Sequence, residues 1–95
     1  MPAYLISQID VHDPDGYEEY RRLVGPALAK YGGKFIARGG RIDVLEGDWS
    51  PKRVVVCEFE SIERARQFYE SPEYRPARDV RRRTADARII VVDGM

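Results

Sequence analysis

The chain begins with an alternation of side chains that predicts a strand. Residues 3–11 (AYLISQIDV) carry small or apolar side chains at the odd positions, the pattern of a strand with one buried face. The even positions run from Tyr4 and Ile6 to the polar Gln8 and Asp10, so the second face is half apolar. The first element is therefore a strand.

A helix is predicted next, between an N-terminal cap and a pair of glycines. Asp13-Pro14 is typical of a helix start, and Gly32-Gly33 of a helix end. Pro26 removes one backbone N–H from this helix, so a local kink is expected there. The helix carries one apolar stripe, formed by Tyr17, Tyr20, Val24, Leu28 and Tyr31.

Residues 34–46 (KFIARGGRIDVLE) have an extended pattern that Gly39-Gly40 interrupts. The two glycines are compatible with a hairpin turn or with a bulge that bends one long strand. We favour the bend, because residues 47–52 (GDWSPK) already form a rich turn. A strand over residues 53–59 (RVVVCEF) follows.

The last third of the chain predicts helical segments and one more strand. Ser61 is placed to cap a helix, and Ser71-Pro72 is placed to end it. A further helical piece is expected at about residues 73–84, before a strand over residues 88–93 (RIIVVD).

The order strand, helix, strand, strand, helix, strand predicts an α+β, ferredoxin-like βαββαβ fold, with helices on one face of a four-stranded antiparallel sheet. Residues 54–56 (VVV) and 89–92 (IIVV) are apolar on both sides of their strands. One layer of helices covers only one face of a sheet, so we expect a second copy of the chain against the other face. The prediction is a homodimer that forms a dimeric α+β barrel.

Composition narrows the classes of partner. The 95 residues fit one domain over residues 1–95, and 16 Lys and Arg balance 16 Asp and Glu. This neutrality predicts neither a nucleic acid nor a membrane as the main partner, and no apolar run or leader-like segment is visible. The single cysteine, Cys57, predicts a reducing compartment, so we expect a cytoplasmic protein.

The residue inventory predicts no metal and no cofactor. One histidine (His12) and one cysteine cannot supply the four ligands of a zinc or iron–sulfur site, and no glycine-rich phosphate loop occurs. His12 is expected to be a solvent-facing residue beside carboxylates. Six arginines between Arg75 and Arg88 make a basic stretch. It is interpreted either as solvated and paired side chains or as an anion site near residues 81–83.

Polar and aromatic residues near apolar strands are the candidate site residues. Arg38 is a candidate to bind an acidic or carbonyl substrate, and Glu46 and Glu58 are candidate catalytic acids or bases, because charges beside apolar strands must pair, reach water or serve a site. Cross-strand pairing would explain the same charges without any site. The candidates for shaping a substrate pocket are Trp49, Tyr69 and Tyr74. Packing explains these aromatics equally well.

Five segments, taken in order, resemble one family. They are Tyr31-Gly32-Gly33, Arg38-Gly39-Gly40, residues 45–49 (LEGDW), residues 58–61 (EFES) and residues 69–74 (YESPEY). Together they resemble the DUF1330 family of small bacterial proteins, over nearly the whole chain. The resemblance implies the dimeric α+β barrel superfamily, which includes cofactor-independent monooxygenases, lactone isomerases and ligand-binding domains of regulators. It maps the family motif onto Arg38, Glu46, Trp49, Tyr69 and Tyr74 and implies no established activity.

Three functions remain open at this point. The first is a small-molecule cleft between sheet and helices, as in a cofactor-independent enzyme. The second is a binding or sensing module that uses the same cleft without turnover, and the third is a structural dimerisation domain. A carboxylate with a perturbed pKa in the cleft would favour the enzyme, whereas the dimerisation domain predicts no cavity.

Overall fold

Four strands form one antiparallel sheet in the computed structural model, which describes residues 1–95. The strands are β1 (Ala3–Val11), β2 (Lys34–Arg38), β3 (Arg53–Phe59) and β4 (Ala85–Asp93), in the order β2-β3-β1-β4 across the sheet. β1 is paired along most of its length on both sides, so that Leu5 lies opposite Cys57 on β3 and Val91 on β4. The first strand is thus the centre of the sheet.

The helices are α1 (Pro14–Lys30), α2 (Ile62–Tyr69) and α3 (Arg75–Thr84), and α2 and α3 together take the place of the second helix in the βαββαβ order. Their buried side chains join those of the odd-numbered β1 residues in one core, so the helices lie on one face of the sheet. This is the ferredoxin-like arrangement, and the predicted fold class is confirmed.

Side-chain caps set the helix boundaries at the predicted residues. Asp13 accepts a hydrogen bond from the Gly16 N–H (3.1 Å), and Ser61 accepts one from the Arg64 N–H (3.0 Å). Between α2 and α3, the Ser71 hydroxyl donates to the Phe68 carbonyl (2.7 Å) and accepts from the Tyr74 N–H (3.1 Å). The residues that break the second helix therefore also hold the start of the third.

Aromatic rings fill the layer between helices and sheet. Phe68 packs against Phe59 and Tyr74, with ring centroids 5.4 and 4.5 Å away. Tyr74 is only 2% exposed and Phe59 only 1%. Burial of such rings removes the largest apolar areas from water and supplies much of the stabilisation of a core this small.

The other face of the sheet has no layer over it within the chain. On this face Val56 of β3 lies opposite Ile6 of β1, Val54 lies opposite Gln8, and Ile90 and Val92 of β4 are 61% and 45% exposed. The sheet is apolar on both faces, as the runs of valine and isoleucine predict. We call this uncovered side the open face.

The predicted long strand over residues 34–46 is wrong, because β2 ends at Arg38. Gly39 has a φ of +72° and donates its N–H to the Val54 carbonyl (3.0 Å), so the chain turns away from the sheet there. Residues 40–52 contain neither strand nor helix, and the glycine pair makes neither a hairpin nor a bend in one strand. The irregularity in β2 lies earlier, between Phe35 and Ala37. β4 also begins at Ala85, three residues before the predicted start.

α1 continues as a helix through Pro26 to Lys30. The helices are not long and apolar enough for any of them to cross a membrane.

Two glycines give a matched test of this packing. A Cβ at Gly33 would lie 2.6 Å from Leu28 Cδ1 and 2.7 Å from Phe59 Cε1, whereas a Cβ at Gly25 in α1 would meet nothing within 4 Å. We expect Gly33→Ala to lower the free energy of unfolding by about 1–3 kcal/mol through overpacking. Gly25→Ala should change it by less than about 0.5 kcal/mol, since the better helix propensity of alanine is offset by its contact with the ring of the following Pro26. Urea unfolding measures both, and equal effects of the two substitutions would contradict the packing described here.

Candidate functional site

A small cavity lies between the sheet and the helices, and we call it the inner cavity. Its volume is about 30 Å³, which is room for one or two water molecules. Its floor comes from the sheet, including Leu5 and Val55, and its roof from α1 and α2, including Val24 and Phe68. The walls are mostly apolar, and their polar groups are few and clustered.

Hydroxyl groups cluster at the side of the cavity nearest α3. Tyr20 and Tyr74 share a hydrogen bond between their hydroxyls (3.0 Å). Arg81 of α3 donates from Nε to the Tyr74 hydroxyl and from Nη2 to the Tyr69 hydroxyl, each at 3.4 Å. We call these four residues the tyrosine–arginine network.

Arg81 is a buried cation without a carboxylate partner. It is 5% exposed, and no Asp or Glu oxygen lies within 4.0 Å of its guanidinium. Burial opposes its charge, yet interactions with Tyr74, Tyr20 and Tyr69 hold the pKa of Arg81 above its ordinary value. A buried charge is costly unless it is paired, so this guanidinium has unused capacity to bind an anion.

Two more arginines flank the cavity on the β2–β3 side. The guanidinium of Arg38 stacks over the Phe35 ring, 4.1 Å from its centroid, and donates to the Arg21 carbonyl at 3.4 Å. Arg53 lies 5.7 Å from the Tyr17 ring centroid, and its buried Nε has no hydrogen-bond partner. Neither arginine forms an ion pair.

No Asp or Glu lines the inner cavity, so its charged groups are all positive. Arginine side chains around a mostly apolar cavity raise the local positive potential. The arrangement therefore favours a negatively charged group inside the cavity.

Tyr17, Tyr20 and Cys57, which also line the cavity, are neutral at pH 7. Burial raises the pKa of Tyr20 and of Tyr17, with the charge of Arg53 opposing the shift at Tyr17. Burial also raises the pKa of the Cys57 thiol to about 11. These groups can donate hydrogen bonds, but none of them is poised to remove a proton at neutral pH.

Of the six predicted site residues, Arg38, Tyr69 and Tyr74 line the inner cavity. Trp49 and Glu46 line a different hollow, of about 580 Å³, between residues 40–51 and the sheet. Trp49 is 61% exposed and donates its indole N–H to Gln8 Oε1 at 3.0 Å. The structure thus does not bring these two residues to the cavity.

Glu58 also lies away from the inner cavity. It alternates with the buried Cys57 and Phe59 on β3, so it is on the open face, where its carboxylate pairs with Lys34 at 3.1 Å. Both glutamates stay predictions as catalytic groups, for a site outside the inner cavity.

Tyr20 and Arg53 line the cavity but are not among the site residues that the sequence predicts. Arg81, bonded to two wall residues, lies in the segment for which an anion site is one of the two interpretations. Tyr20 belongs to the predicted apolar stripe of α1, and Arg81 lies within the basic stretch. Tyr20 and Arg81 can be recognised as candidates because each lies on the buried face of a helix and carries a polar group that needs a partner there. Tyr20 and Tyr74 are 54 positions apart, and only the packing of α1 against α3 brings them together.

The remaining candidates lie outside the cavity. His12 is exposed, as expected. In the basic stretch, Arg81 points inward while Arg82 and Arg83 are exposed. No group of three or more His, Cys, Asp or Glu side chains is arranged to hold a metal ion.

Comparison with known sequences decides the family. The profile of a domain of unknown function, DUF1330, matches residues 2–95. The chain belongs to the DUF1330 family. The resemblance seen in the sequence segments is therefore confirmed. No protein in a curated set matches the DUF1330 chain by sequence.

Solved structures share the fold. A protein of unknown function from Rhodopseudomonas palustris, RPA0582, has a TM-score of 0.77 and 23% identity, over 99% of this chain and 82% of that one. SnoaB, a cofactor-independent oxygenase from Streptomyces nogalater, has a TM-score of 0.71 and 15% identity, over 99% and 93%. A dimeric ferredoxin-like protein of unknown function from Thermobifida fusca has a TM-score of 0.58 and 19% identity, over 99% and 92%. At these identities the likeness establishes the fold of this DUF1330 protein.

A surface clamp holds Tyr74 in position. The neighbouring Glu73 accepts hydrogen bonds from Lys30 Nζ (2.6 Å) and from the Tyr31 hydroxyl (2.8 Å), which ties the end of α1 to the start of α3. These bonds, the one from Lys30 first, lower the pKa of Glu73 from 4.5 to about 2.

The clamp predicts a pH dependence of stability. Because the folded-state pKa of Glu73 is lowered, its contribution is complete above about pH 4.5 and is lost as the pH falls towards about 2. Glu73→Gln should therefore destabilise the protein at pH 7 and show a smaller loss of melting temperature between pH 5 and 2 than wild type. Glu63→Gln, at an exposed position without an ion pair, is the control. Parallel wild-type and Glu73→Gln profiles would contradict the clamp.

Proposed function

We propose that this protein is a homodimer that binds a small organic anion in the inner cavity, without a cofactor. The observation that carries the proposal is that three arginines at this apolar cavity have no carboxylate partner. Arg38 and Arg53 line the cavity, and Arg81 lies behind it, bonded to the wall residues Tyr69 and Tyr74. A carboxylate or enolate is the group that a guanidinium binds best, through paired hydrogen bonds.

The ligand's other part should be apolar and flat. The walls offer aromatic rings from Tyr17, Phe35 and Phe68 and aliphatic side chains from the sheet. An aromatic carboxylate matches both the rings and the cations, since its ring can pack while its oxygens reach an arginine. The inner cavity is smaller than such a molecule, so binding requires side chains to move.

The dimer follows from the open face. Apolar side chains on all four strands are uncovered there, and an isologous contact between two copies would bury them. Dimeric proteins of the same fold support this arrangement, which gives a dimeric α+β barrel. Residues 40–52, with Leu45 94% exposed, border the same face and would join the contact.

A cofactor-independent enzyme is the second candidate function. The tyrosine–arginine network supports it, because hydroxyl and guanidinium donors in a dry site stabilise an oxyanion. The shared fold with the oxygenase SnoaB agrees with this candidate. In such an enzyme, Glu46 and Glu58 would act at a site outside the inner cavity. Binding without turnover is preferred, because no carboxylate or histidine lines the inner cavity to act as a base. The cavity argues against the third candidate, a purely structural dimerisation domain.

The single buried cysteine agrees with a reducing compartment, and the cytoplasm is the location we propose.

The dimer has a direct test. Light scattering of the wild type at micromolar concentration should give twice the 10.9 kDa chain mass. Ile90→Glu, which puts a charge on the open face, should give the mass of one chain, because a buried unpaired carboxylate is costly. Arg82→Glu, at an exposed position of α3, should leave the dimer intact. A wild-type protein of single-chain mass would contradict the dimer.

The anion site is tested with benzoate and its neutral analogue benzamide. Arg53→Met removes the charge while keeping most of the side-chain length, so the Kd for benzoate should rise about 10- to 100-fold, as expected for losing a charge-assisted hydrogen bond. Titration calorimetry or NMR titration measures it.

Arg22→Met is the matched control, because Arg22 is exposed on α1 and lies outside the cavity. It should leave the Kd unchanged, and benzamide should bind both variants alike. Equal losses in the two arginine variants, or equal affinity of the wild type for benzoate and benzamide, would overturn the proposal.

A further inference from the structure

Three hollows of the molecule meet at Tyr69. One is the inner cavity. The second, of about 230 Å³, lies between α2 and β4, and the third, of about 340 Å³, lies between the end of α3 and β4. Tyr69 and Ile89 are the residues that line all three. We call the second and third hollows the α2 groove and the α3 groove.

The Tyr69 side chain is held weakly. It is half-buried at the last position of α2, and its hydroxyl accepts one long hydrogen bond, 3.4 Å, from Arg81. Its ring lies 5.6 Å from the Tyr74 ring. Rotation about its side-chain bonds therefore breaks little, whereas Tyr74 is buried and bonded to two partners.

Rotation of Tyr69 would join the inner cavity to both grooves. Sites for small molecules usually have about 300–1,000 Å³, and the inner cavity alone is far below this range. The α3 groove alone is already within it. The space that an aromatic carboxylate needs is thus present next to the cavity, on the far side of one side chain.

Arg81 lines the α3 groove and reaches the inner cavity through its bonds to Tyr69 and Tyr74. Moving Tyr69 would free Nη2 of a buried guanidinium that has no carboxylate partner. An incoming carboxylate could replace the lost hydroxyl with a stronger, charge-assisted acceptor. The side chain whose rotation would open the inner cavity is thus also the one that covers this buried cation.

We propose that Tyr69 is the gate of the inner cavity and that Arg81, once uncovered, binds the carboxylate of an aromatic acid that enters from the β4 side. This inference rests on the proposed function, and it adds the route of entry and the anchoring residue.

A structural role for Arg81 makes a different prediction. Arg81 belongs to the last turn of α3, where a positive charge interacts favourably with the helix dipole. If this were its function, loss of the charge would lower the melting temperature and leave ligand binding unchanged.

Cys57 offers a readout of the gate, because it is the only cysteine, is buried and lines the inner cavity. The full-length protein is treated with 4,4′-dithiodipyridine at one fixed pH, and the labelling rate is measured with and without benzoate. We expect Tyr69→Ala to speed labelling at least tenfold without benzoate. Gln67→Ala, at an exposed position of the same helix, should label like wild type.

Arg81→Met tests the anchor in the same assay. Benzoate should slow labelling of the wild type and fail to slow it in Arg81→Met, whose melting temperature should stay within a few degrees of wild type. Should Arg81→Met not fold, Arg81→Lys takes its place, and it should show a protection constant for benzoate at least tenfold weaker.

The outcomes separate the two proposals. Unchanged labelling of Tyr69→Ala, or full protection by benzoate in the Arg81 variant, overturns the gate and anchor even when Arg53→Met weakens binding as proposed. Absence of benzoate protection in the wild type, together with no binding by calorimetry, overturns the anion site itself and the anchor with it.

Discussion

A sheet that is apolar on both faces, with helices on only one, is the constraint on which the rest of this structure depends. The odd-numbered residues of β1 and β3 face the helices and form the core that encloses the inner cavity. The even-numbered residues form the open face, which the chain cannot cover by itself. Both the proposed dimer and the separation of the predicted site residues follow from this alternation, because Glu58 and Arg38 occupy opposite faces of the same sheet.

The chemistry of the cavity depends on cations without partners. Six ion pairs lie on the surface and involve none of Arg38, Arg53 and Arg81. The neutral overall charge therefore hides a local imbalance, in which the buried Arg81 and the half-buried Arg53 have no carboxylate partner. Such an imbalance costs stability in the free protein, and an anionic ligand would offset it. This is the physical link between the burial of Arg81 and the proposed function.

The sequence predicts the fold well, because capping residues and alternating apolar positions act locally. Asp13, Ser61 and Ser71 set boundaries that can be recognised without tertiary structure. The end of β2 at Gly39 could not be predicted, because its positive φ and its close contact with Arg53 arise from tertiary packing. Proximity along the chain does not predict the site equally well. Trp49 and Glu46 follow β2 closely along the chain, yet the turn at Gly39 takes them to another hollow.

We propose that an organic anion binds among these arginines with Tyr69 displaced. Crystals of the protein grown with 4-bromobenzoate test it most directly, because anomalous scattering locates the bromine independently of the other density. We expect a bromine peak between the sheet and the helices, with the carboxylate at Arg81 and the Tyr69 ring rotated away from its position in the free protein. A bromine peak only on the open face or beside residues 40–52, with Tyr69 unmoved, would contradict it.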